Sequence, residues 1–179
     1  REIAEQVITA FEDFDYVVAP SGSCAGMLKH HYAELFAGDE KWQARAEAFS
    51  PKVHELVSFL TDIMFVSKLE VSHAGTVTYH DSCSGLRELG IQAQPRKLLN
   101  QIEGLSLKEM KNADVCCGFG GTFCVKYPDI SNKIVSEKTE TIKASGADLL
   151  LAGDLGCLMN MAGLIAREAD WLDGALAVP

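Results

Sequence analysis

Apolar and polar residues alternate in recognisable periods along the first third of the chain. Between residues 2 and 14 the apolar side chains fall three or four positions apart, which predicts an amphipathic helix. The continuous apolar run at residues 16–19 predicts a short buried strand of the kind found in parallel sheets. Residues 25–36 and 41–49 have helical patterns, so we expect two further helices there.

A new pattern starts at Ser50 and Pro51. Serine is favoured as the N-cap of a helix, and proline is favoured at its first position. The apolar residues from Val53 to Met64 then lie on one face when they are placed on a helix. The sequence therefore predicts a single amphipathic helix over residues 50–66.

Predicted strands and helices continue to alternate in the rest of the chain. Residues 76–80 are β-branched and aromatic, which predicts a strand that ends shortly before Cys83. Asp114 and Val115 are interpreted as the end of another strand. The remaining patterns predict helices over residues 86–89, 96–102 and 130–146, a strand over residues 148–152, and a last helix that includes residues 158–165.

Part of the pattern is repeated without gaps. Residues 15–19 followed by Cys24 match residues 148–152 followed by Cys157, and every residue of the second copy lies 133 positions after its equivalent in the first. Each copy reads as helix, aspartate, apolar strand, small or polar loop, cysteine and helix. Alternation of this kind predicts the α/β class, with duplicated Rossmann-like units of parallel sheet that carry helices on both faces.

Composition and charge limit the classes of function. The chain has 179 residues, a net charge of −9 and no cluster of Lys or Arg, so a nucleic-acid or anionic membrane surface is not expected. It has no apolar run of about 18 residues and no signal-peptide pattern at its start, which predicts a cytoplasmic protein. Because the first residue is Arg1 and a helical pattern begins at once, we expect further residues upstream.

Thiols and glycines are concentrated at residues 112–124. Adjacent cysteines on a strand point to opposite faces, so the backbone must turn there if both serve one site. Gly118, Gly120 and Gly121 permit such a turn with positive φ and can present N–H groups to the sulfurs. We therefore predict that these three glycines contact a bound cofactor.

Metal or redox chemistry is a better explanation of the six cysteines than structural disulfide bonds, because the chain is long and is not dense in cysteine. Most of them follow predicted strands, whose carboxyl ends gather ligands at one edge of an α/β fold. Four thiolates can hold zinc or an iron–sulfur cluster, but a vicinal pair fits neighbouring irons better than one tetrahedral zinc. The predicted ligands are Cys83, Cys116, Cys117, Cys157 and Cys24, whereas Cys124 is predicted to be a packed thiol.

Two other motifs also have simpler explanations. His80 and Asp81 directly precede a predicted ligand, so they could tune a cluster or could simply form a turn at the end of a strand. The glycines from Gly118 to Gly121 lack the spacing and the acidic residue of a dinucleotide loop. No arrangement of Ser, His and Asp or of Cys and His argues for hydrolysis.

The spacing of the cysteines resembles that of the cysteine-rich domain known as the Cys-Cys-Gly domain. Cys83 is followed after 32 residues by Cys116-Cys117-Gly118, and 39 residues separate Cys117 from Cys157. The family pattern ends in Cys-x-x-Cys, but here Asn160 stands at its last position. Such domains occur in tandem, and Cys24 resembles the end of a first copy. The resemblance implies that residues 1–70 hold the end of the first repeat and a connecting helix, and that residues 71–179 hold the second repeat.

A narrower resemblance rests on residues 79–90, 116–122 and 153–163, which are similar to the lactate utilization protein A family. Its relatives include the iron–sulfur subunit of glycolate oxidase and a cysteine-rich subunit of heterodisulfide reductase. The resemblance implies an electron-transfer subunit of a cytosolic L-lactate oxidation complex, which does not itself bind substrate. It also implies a 4Fe–4S type of cluster, a ferredoxin-like iron–sulfur subunit and a third subunit as partners. Thiol–disulfide chemistry at a cluster and a structural zinc module for protein binding remain as alternatives.

Overall fold

The computed structural model describes residues 1–167, and these form an α/β fold, as the sequence predicts. Helices flank two small sheets in which all neighbouring strands are parallel. No helix within the described residues is long and apolar enough to cross a membrane. The predicted division between residues 70 and 71 stays a prediction.

The first half of the chain builds a two-stranded sheet and the helices around it. Strand β1 pairs in parallel with β2, in the register Val17 to Val53. The elements in order are α1 (Glu2–Phe11), β1 (Val17–Ala19), α2 (Gly22–Gly26), a π-helical segment (Met27–His31), α3 (Tyr32–Leu35), α4 (Glu40–Phe49), a 3-10 turn (Ser50–Lys52), β2 (Val53–Glu55), α5 (Leu56–Ser58) and a second π-helical segment (Phe59–Ile63).

The prediction of one helix over residues 50–66 was wrong at its start. The turn at Ser50–Lys52 is a single 3-10 turn, and the chain then extends as β2 before a helix begins at Leu56. Val53 is fully buried because it pairs with β1 and packs in the first core, and this contact outweighs the helical pattern. Ser50 and Pro51 therefore do mark the start of a helical turn, but it is the 3-10 turn Ser50–Lys52 and not a long helix.

The second half forms a three-stranded sheet with β3 at its centre, in the order β4, β3, β5. β3 pairs with β5 from Val77 opposite Leu149 to His80 opposite Ala152. The elements are β3 (Ser72–His80), a π-helical turn (Ser84–Glu88), α6 (Ala93–Leu99), β4 (Glu103–Leu107), α7 (Phe123–Lys126), α8 (Pro128–Ser145), β5 (Leu149–Ala152) and α9 (Leu155–Arg167).

Two strand predictions differ from the structure. β4 was missed, because Glu103–Leu107 contains a glycine and alternates too weakly to be distinguished from a loop. Asp114 and Val115 were predicted to end a strand, but they lie in a turn between β4 and α7. The loop they belong to is nevertheless held at the sheet, because the Asp81 N–H donates to the Ala113 carbonyl over 3.1 Å.

Each half has its own hydrophobic core. The first core gathers helices α1 to α4 against β1 and β2, and Ile8, Phe36, Phe49 and Val53 are its largest fully buried members. The second core lies between α8 and α9, with Val135, Ile142, Met161 and Ile165. Cys117 and Cys157 belong to this second core, so two predicted ligands are part of the packed interior.

The two copies of the repeat touch each other at equivalent positions. The Ser21 hydroxyl donates to the Asp154 carboxylate over 2.9 Å, and these residues are 133 positions apart, which is the offset of the repeat. Next to them, the Gly22 N–H donates to the Gly153 carbonyl over 3.2 Å. The loops after β1 and β5 therefore meet, and the start of α2 is brought to the same edge as the start of α9.

Candidate metal centre

Four of the five predicted ligands line one cleft, whose volume is about 290 Å³. Cys83 lies just after β3, before the turn Ser84–Glu88, and Cys157 lies in the first turns of α9. Cys116 and Cys117 come from the loop that the Asp81 N–H holds beside the end of β3. The carboxyl ends of β3 and β5 thus gather these thiols, as expected for a ligand site in a parallel sheet.

The glycine turn after Cys117 has the backbone conformation that the sequence predicts. Gly118, Gly120 and Gly121 have φ angles of 85°, 54° and 61°, all in the left-handed region. The Gly118 N–H donates to Cys116 Sγ over 3.3 Å, and the Ser131 hydroxyl donates to the Gly118 carbonyl over 2.9 Å. The turn therefore presents a backbone donor to a sulfur and is fastened to α8.

Replacement of Gly118 by alanine is expected to lower the free energy of unfolding by more than the left-handed strain of about 1–3 kcal/mol alone. A Cβ atom there would lie 2.8 Å from the Ser131 carbonyl oxygen, which is backbone and cannot rotate away. Gly121→Ala is the matched control, because Gly121 also has positive φ but its Cβ would meet nothing within 4 Å. Urea unfolding of both variants measures the difference, and equal losses would contradict a steric role for Gly118.

Cys117 and Cys157 line the cleft, and His80 lies next to them in the interior, although it is not itself a lining residue. The two sulfurs and one ring nitrogen lie within 4.8 Å of one another. The pKa of Cys117 is lowered, mainly because the Cys157 thiol can donate a hydrogen bond to its thiolate. The pKa of Cys157 is raised by the same interaction and by burial. The pair thus favours a single shared proton, with the negative charge on Cys117.

The thiol of Cys83 resists ionisation. The pKa of Cys83 is raised to about 11, first by burial and then by the neighbouring Cys116. Thiols crowded in this way ionise readily only when a cation balances their charge. A soft metal cation would therefore be stabilised by this group of sulfurs, and it would displace their protons on binding.

A buried lysine lies behind the cysteines. Lys138 on α8 is 2% exposed, and its ammonium donates a hydrogen bond to the Asn112 carbonyl. Burial lowers its pKa, while the charges of Cys117 and Asp114 act in the opposite direction. The sequence pattern did not single out this residue, although Val135, Lys138 and Ile142 share the buried face of α8 at helical spacing.

An ion pair fixes the segment between His80 and Cys83. The Asp81 carboxylate accepts two hydrogen bonds from the Arg96 guanidinium, over 2.7 and 2.9 Å. Arg96 also donates to Glu109 over 2.6 and 3.0 Å, so the guanidinium is shared by two carboxylates. Because the Asp81 side chain is 1% exposed, this pair anchors the end of β3 from inside the fold.

Three residues of the predicted motif have other surroundings. Cys24 is exposed on α2 and does not line the cleft, whereas its neighbour Ser23 does. Cys124 is half-buried, and its Sγ donates to the Gly121 carbonyl over 3.2 Å and is not among the cleft residues. Asn160 donates from its side-chain nitrogen to the Cys117 carbonyl over 2.9 Å. Thus Asn160 supports the vicinal cysteines through their backbone.

Asp154 is a cleft residue that the sequence pattern did not single out. Its carboxylate is buried and accepts hydrogen bonds from the Ser23 hydroxyl over 2.6 Å and from the Ser23 N–H over 3.2 Å. Burial opposes ionisation, but the hydrogen bonds outweigh it, so the pKa of Asp154 is lowered. The repeat contained a signal for the position of Asp154, because its equivalent in the first copy is Ser21, whose hydroxyl also donates to the carboxylate.

Comparison with known proteins agrees with this geometry. Residues 77–162 match the family model of the cysteine-rich domain called CCG. Lactate utilization protein A 2 of Bacillus cereus (strain AH820) is 45% identical over 165 residues, which cover 92% of this chain and 68% of that protein. Lactate utilization protein A of Geobacillus kaustophilus (strain HTA426) is 47% identical over 167 residues, which cover 93% of this chain and 70% of that protein.

Proposed function

The chain belongs to the lactate utilization protein A family, and from this premise we propose that it is an iron–sulfur electron-transfer subunit in the oxidation of L-lactate. The observation that carries the proposal is the convergence of Cys83, Cys116, Cys117 and Cys157 on one cleft. The names of the relatives support the link to lactate. The proposed partners are a ferredoxin-like iron–sulfur subunit and a third subunit, in the cytoplasm.

The residues of the cleft suit an iron–sulfur cluster. Cysteine thiolates are the ordinary ligands of such clusters, and backbone N–H groups that reach the sulfurs tune the reduction potential. The Gly118 N–H already donates to Cys116 Sγ, and Gly120 and Gly121 line the same cleft. When bound, a cluster of this kind accepts and releases one electron at a time. The protein's part is to hold the sulfurs, to present these donors and to bury one side of the site.

Cys24 is proposed as a ligand of a separate motif. It is exposed and lines no cleft shared with the other four cysteines, yet it occupies the position equivalent to Cys157 in the repeat. A first Cys-Cys-Gly copy would need an earlier cysteine and a vicinal pair upstream of Arg1. The proposal for Cys24 therefore depends on finding such cysteines.

Thiol–disulfide chemistry is less well supported by the geometry. The lowered pKa of Cys117 and the raised pKa of Cys157 resemble those of a reactive pair. However, reactive cysteines are partly exposed, whereas Cys117 is 1% exposed and sits in the second core. Because Cys117 also lines the cleft together with three other predicted ligands, we assign its sulfur to holding a cluster, and electron relay is the function that we propose.

Anaerobic purification of the full-length protein tests the proposal. We expect a brown protein that contains iron and acid-labile sulfide and whose visible absorption bleaches when lactate and the partner subunits are added. A colourless protein that holds one tightly bound zinc and takes up no iron on anaerobic reconstitution would overturn the iron–sulfur assignment. An iron–sulfur protein that is not reduced by lactate through its partners would overturn the electron-transfer role.

Lys138→Met is expected to lower the reduction potential of the reconstituted centre by at least about 60 mV, which is tenfold in a one-electron equilibrium. The reason is that a buried positive charge favours the added electron, and methionine removes it at nearly the same volume. Lys133→Met on the same helix is the control, because Lys133 is exposed and forms an ion pair with Glu137. Redox titration measures both, and equal potentials would exclude a tuning role for Lys138.

A further inference from the structure

His80 is buried, and its only polar neighbours are sulfurs. It is the last residue of β3 and has no exposed surface. Neither ring nitrogen has a partner with good hydrogen-bond geometry among the described residues, although the imidazole is close enough to Cys117 to help lower the pKa of that thiol. An unsatisfied buried polar group costs about 1–3 kcal/mol, so such groups are rare in folded proteins. The strand is stable at this point because β5 pairs with it up to Ala152. The imidazole therefore needs an explanation other than packing.

The position of the ring supplies one for one of its two nitrogens. A ring nitrogen of His80 and the sulfurs of Cys117 and Cys157 lie within 4.8 Å of one another, and all three residues are buried. Asn160, which occupies the last cysteine position of the motif, uses its side-chain nitrogen to bind the Cys117 carbonyl instead. The side chain that stands beside the two inner sulfurs is thus a histidine from a different element, strand β3.

We propose that His80 is itself a metal ligand of this centre, together with Cys117 and Cys157, and that it takes the part of the cysteine that the motif lacks. The inference rests on the proposed function for the cluster type, but the ligand assignment applies to any soft or borderline metal. Neutral imidazole binds iron in clusters of mixed histidine and cysteine ligation and binds zinc in Cys/His sites.

Histidine ligation changes the charge of the site. Imidazole binds as a neutral group, whereas a fifth cysteine would add a negative charge next to thiolates that already repel one another. Replacement of thiolate by imidazole raises the reduction potential of an iron–sulfur centre. The buried Lys138 acts in the same direction, so both residues favour a centre that accepts an electron readily.

The ring is positioned through the residue that follows it in the chain. Asp81, the next residue, is held by the paired hydrogen bonds from Arg96, and the Asp81 N–H is bonded to the Ala113 carbonyl in the loop of the vicinal cysteines. These contacts fix the end of β3 relative to Cys116 and Cys117. The imidazole is therefore held against the sulfurs before any metal binds.

Pulsed electron paramagnetic resonance of the full-length, anaerobically reconstituted protein tests the assignment. In protein labelled with ¹⁵N-histidine, the reduced centre is expected to show one strongly coupled histidine nitrogen. This signal should vanish in His80→Gln, with at least about a tenfold loss of metal affinity, since lost outer partners alone cost 10–100-fold. His73→Gln is the control, because His73 is an exposed residue of the same strand and should leave signal and affinity unchanged.

A second variant distinguishes the loss of a metal ligand from a folding defect. His80→Cys offers a ligand at the same place, so it should bind metal at the wild-type ratio, lose the nitrogen coupling and have a lower reduction potential. Wild-type protein with iron and sulfide but without a coupled nitrogen would overturn the assignment of His80 and leave the proposed function intact.

The remaining outcomes separate the two proposals. If the protein holds zinc in place of iron, the electron-transfer proposal fails. X-ray absorption at the zinc edge then tests the assignment of His80 as a ligand. One nitrogen ligand among the sulfurs that is lost in His80→Gln would support the assignment. A shell of sulfur ligands alone would overturn it. A protein that binds neither metal would overturn both.

Discussion

Replacement of Cys117 by serine is expected to reduce the iron content of the anaerobically reconstituted protein to about a tenth or less, and to remove its visible absorption. Cys117 is the most buried thiol of the cleft and the one whose pKa is lowered, so it is the sulfur best prepared to bind as a thiolate. A serine hydroxyl ionises with far more difficulty. It also offers oxygen where a soft metal requires sulfur.

Cys124→Ser is the matched control for this experiment. Cys124 lies seven positions further along the same glycine-rich segment, and its thiol donates to the Gly121 carbonyl instead of lining the cleft. The variant should retain iron and sulfide at the wild-type ratio. Unchanged iron in Cys117→Ser would show that Cys117 is not a ligand. Loss of iron in Cys124→Ser would show that Cys124 must be added to the proposed ligands.

Asp81→Ala is expected to lower the free energy of unfolding by about 3–5 kcal/mol, the usual cost of removing one partner from a buried ion pair. The Arg96 guanidinium, with its side chain 20% exposed, would lose two short hydrogen bonds and keep only those to Glu109 and the Gln92 carbonyl. The end of β3 would also lose its anchor. Because this segment carries His80 and leads to Cys83, the variant should bind metal less tightly as well.

Urea unfolding of the metal-free protein, followed by circular dichroism, measures this effect. Glu70→Ala is the control, since Glu70 forms an ion pair with Lys68 that is exposed on both sides and should be worth less than about 1 kcal/mol. A loss in Asp81→Ala no larger than that of the control would contradict a structural role for the pair. Arg96→Met should be at least as harmful, because it leaves the Asp81 carboxylate buried without its cation.

The secondary structure could be predicted where the residues of an element are sufficient to determine its conformation. Helices α4 and α8 and strand β5 agree with their predicted positions within a few residues. Glycine or proline follows the end of each, α8 has apolar residues at helical spacing, and β5 is a continuous apolar run. The segment Val53–Glu55 failed this test. Its conformation depends on pairing with β1, more than thirty residues earlier, and a local pattern does not contain that contact.

The sequence by itself determined the class of fold, the repeat with its offset of 133 positions, and the set of thiols and glycines available for a metal centre. These features are covalent or local, so spacing is sufficient to find them. Even the positive φ angles of Gly118, Gly120 and Gly121 follow from residue type, since glycine reaches them without a steric cost.

Only the tertiary structure decided which groups share the cleft. It brings Cys83, Cys116, Cys117 and Cys157 together, leaves Cys24 at the surface, and places His80 and Lys138 in the interior beside the sulfurs. The physical reason is that burial and ligand geometry arise from contacts between distant elements, such as the bond from Asn160 to Cys117 across 43 positions. The residue type does not distinguish a buried histidine or lysine from an exposed one, and the packing around the side chain determines which chemistry it can perform.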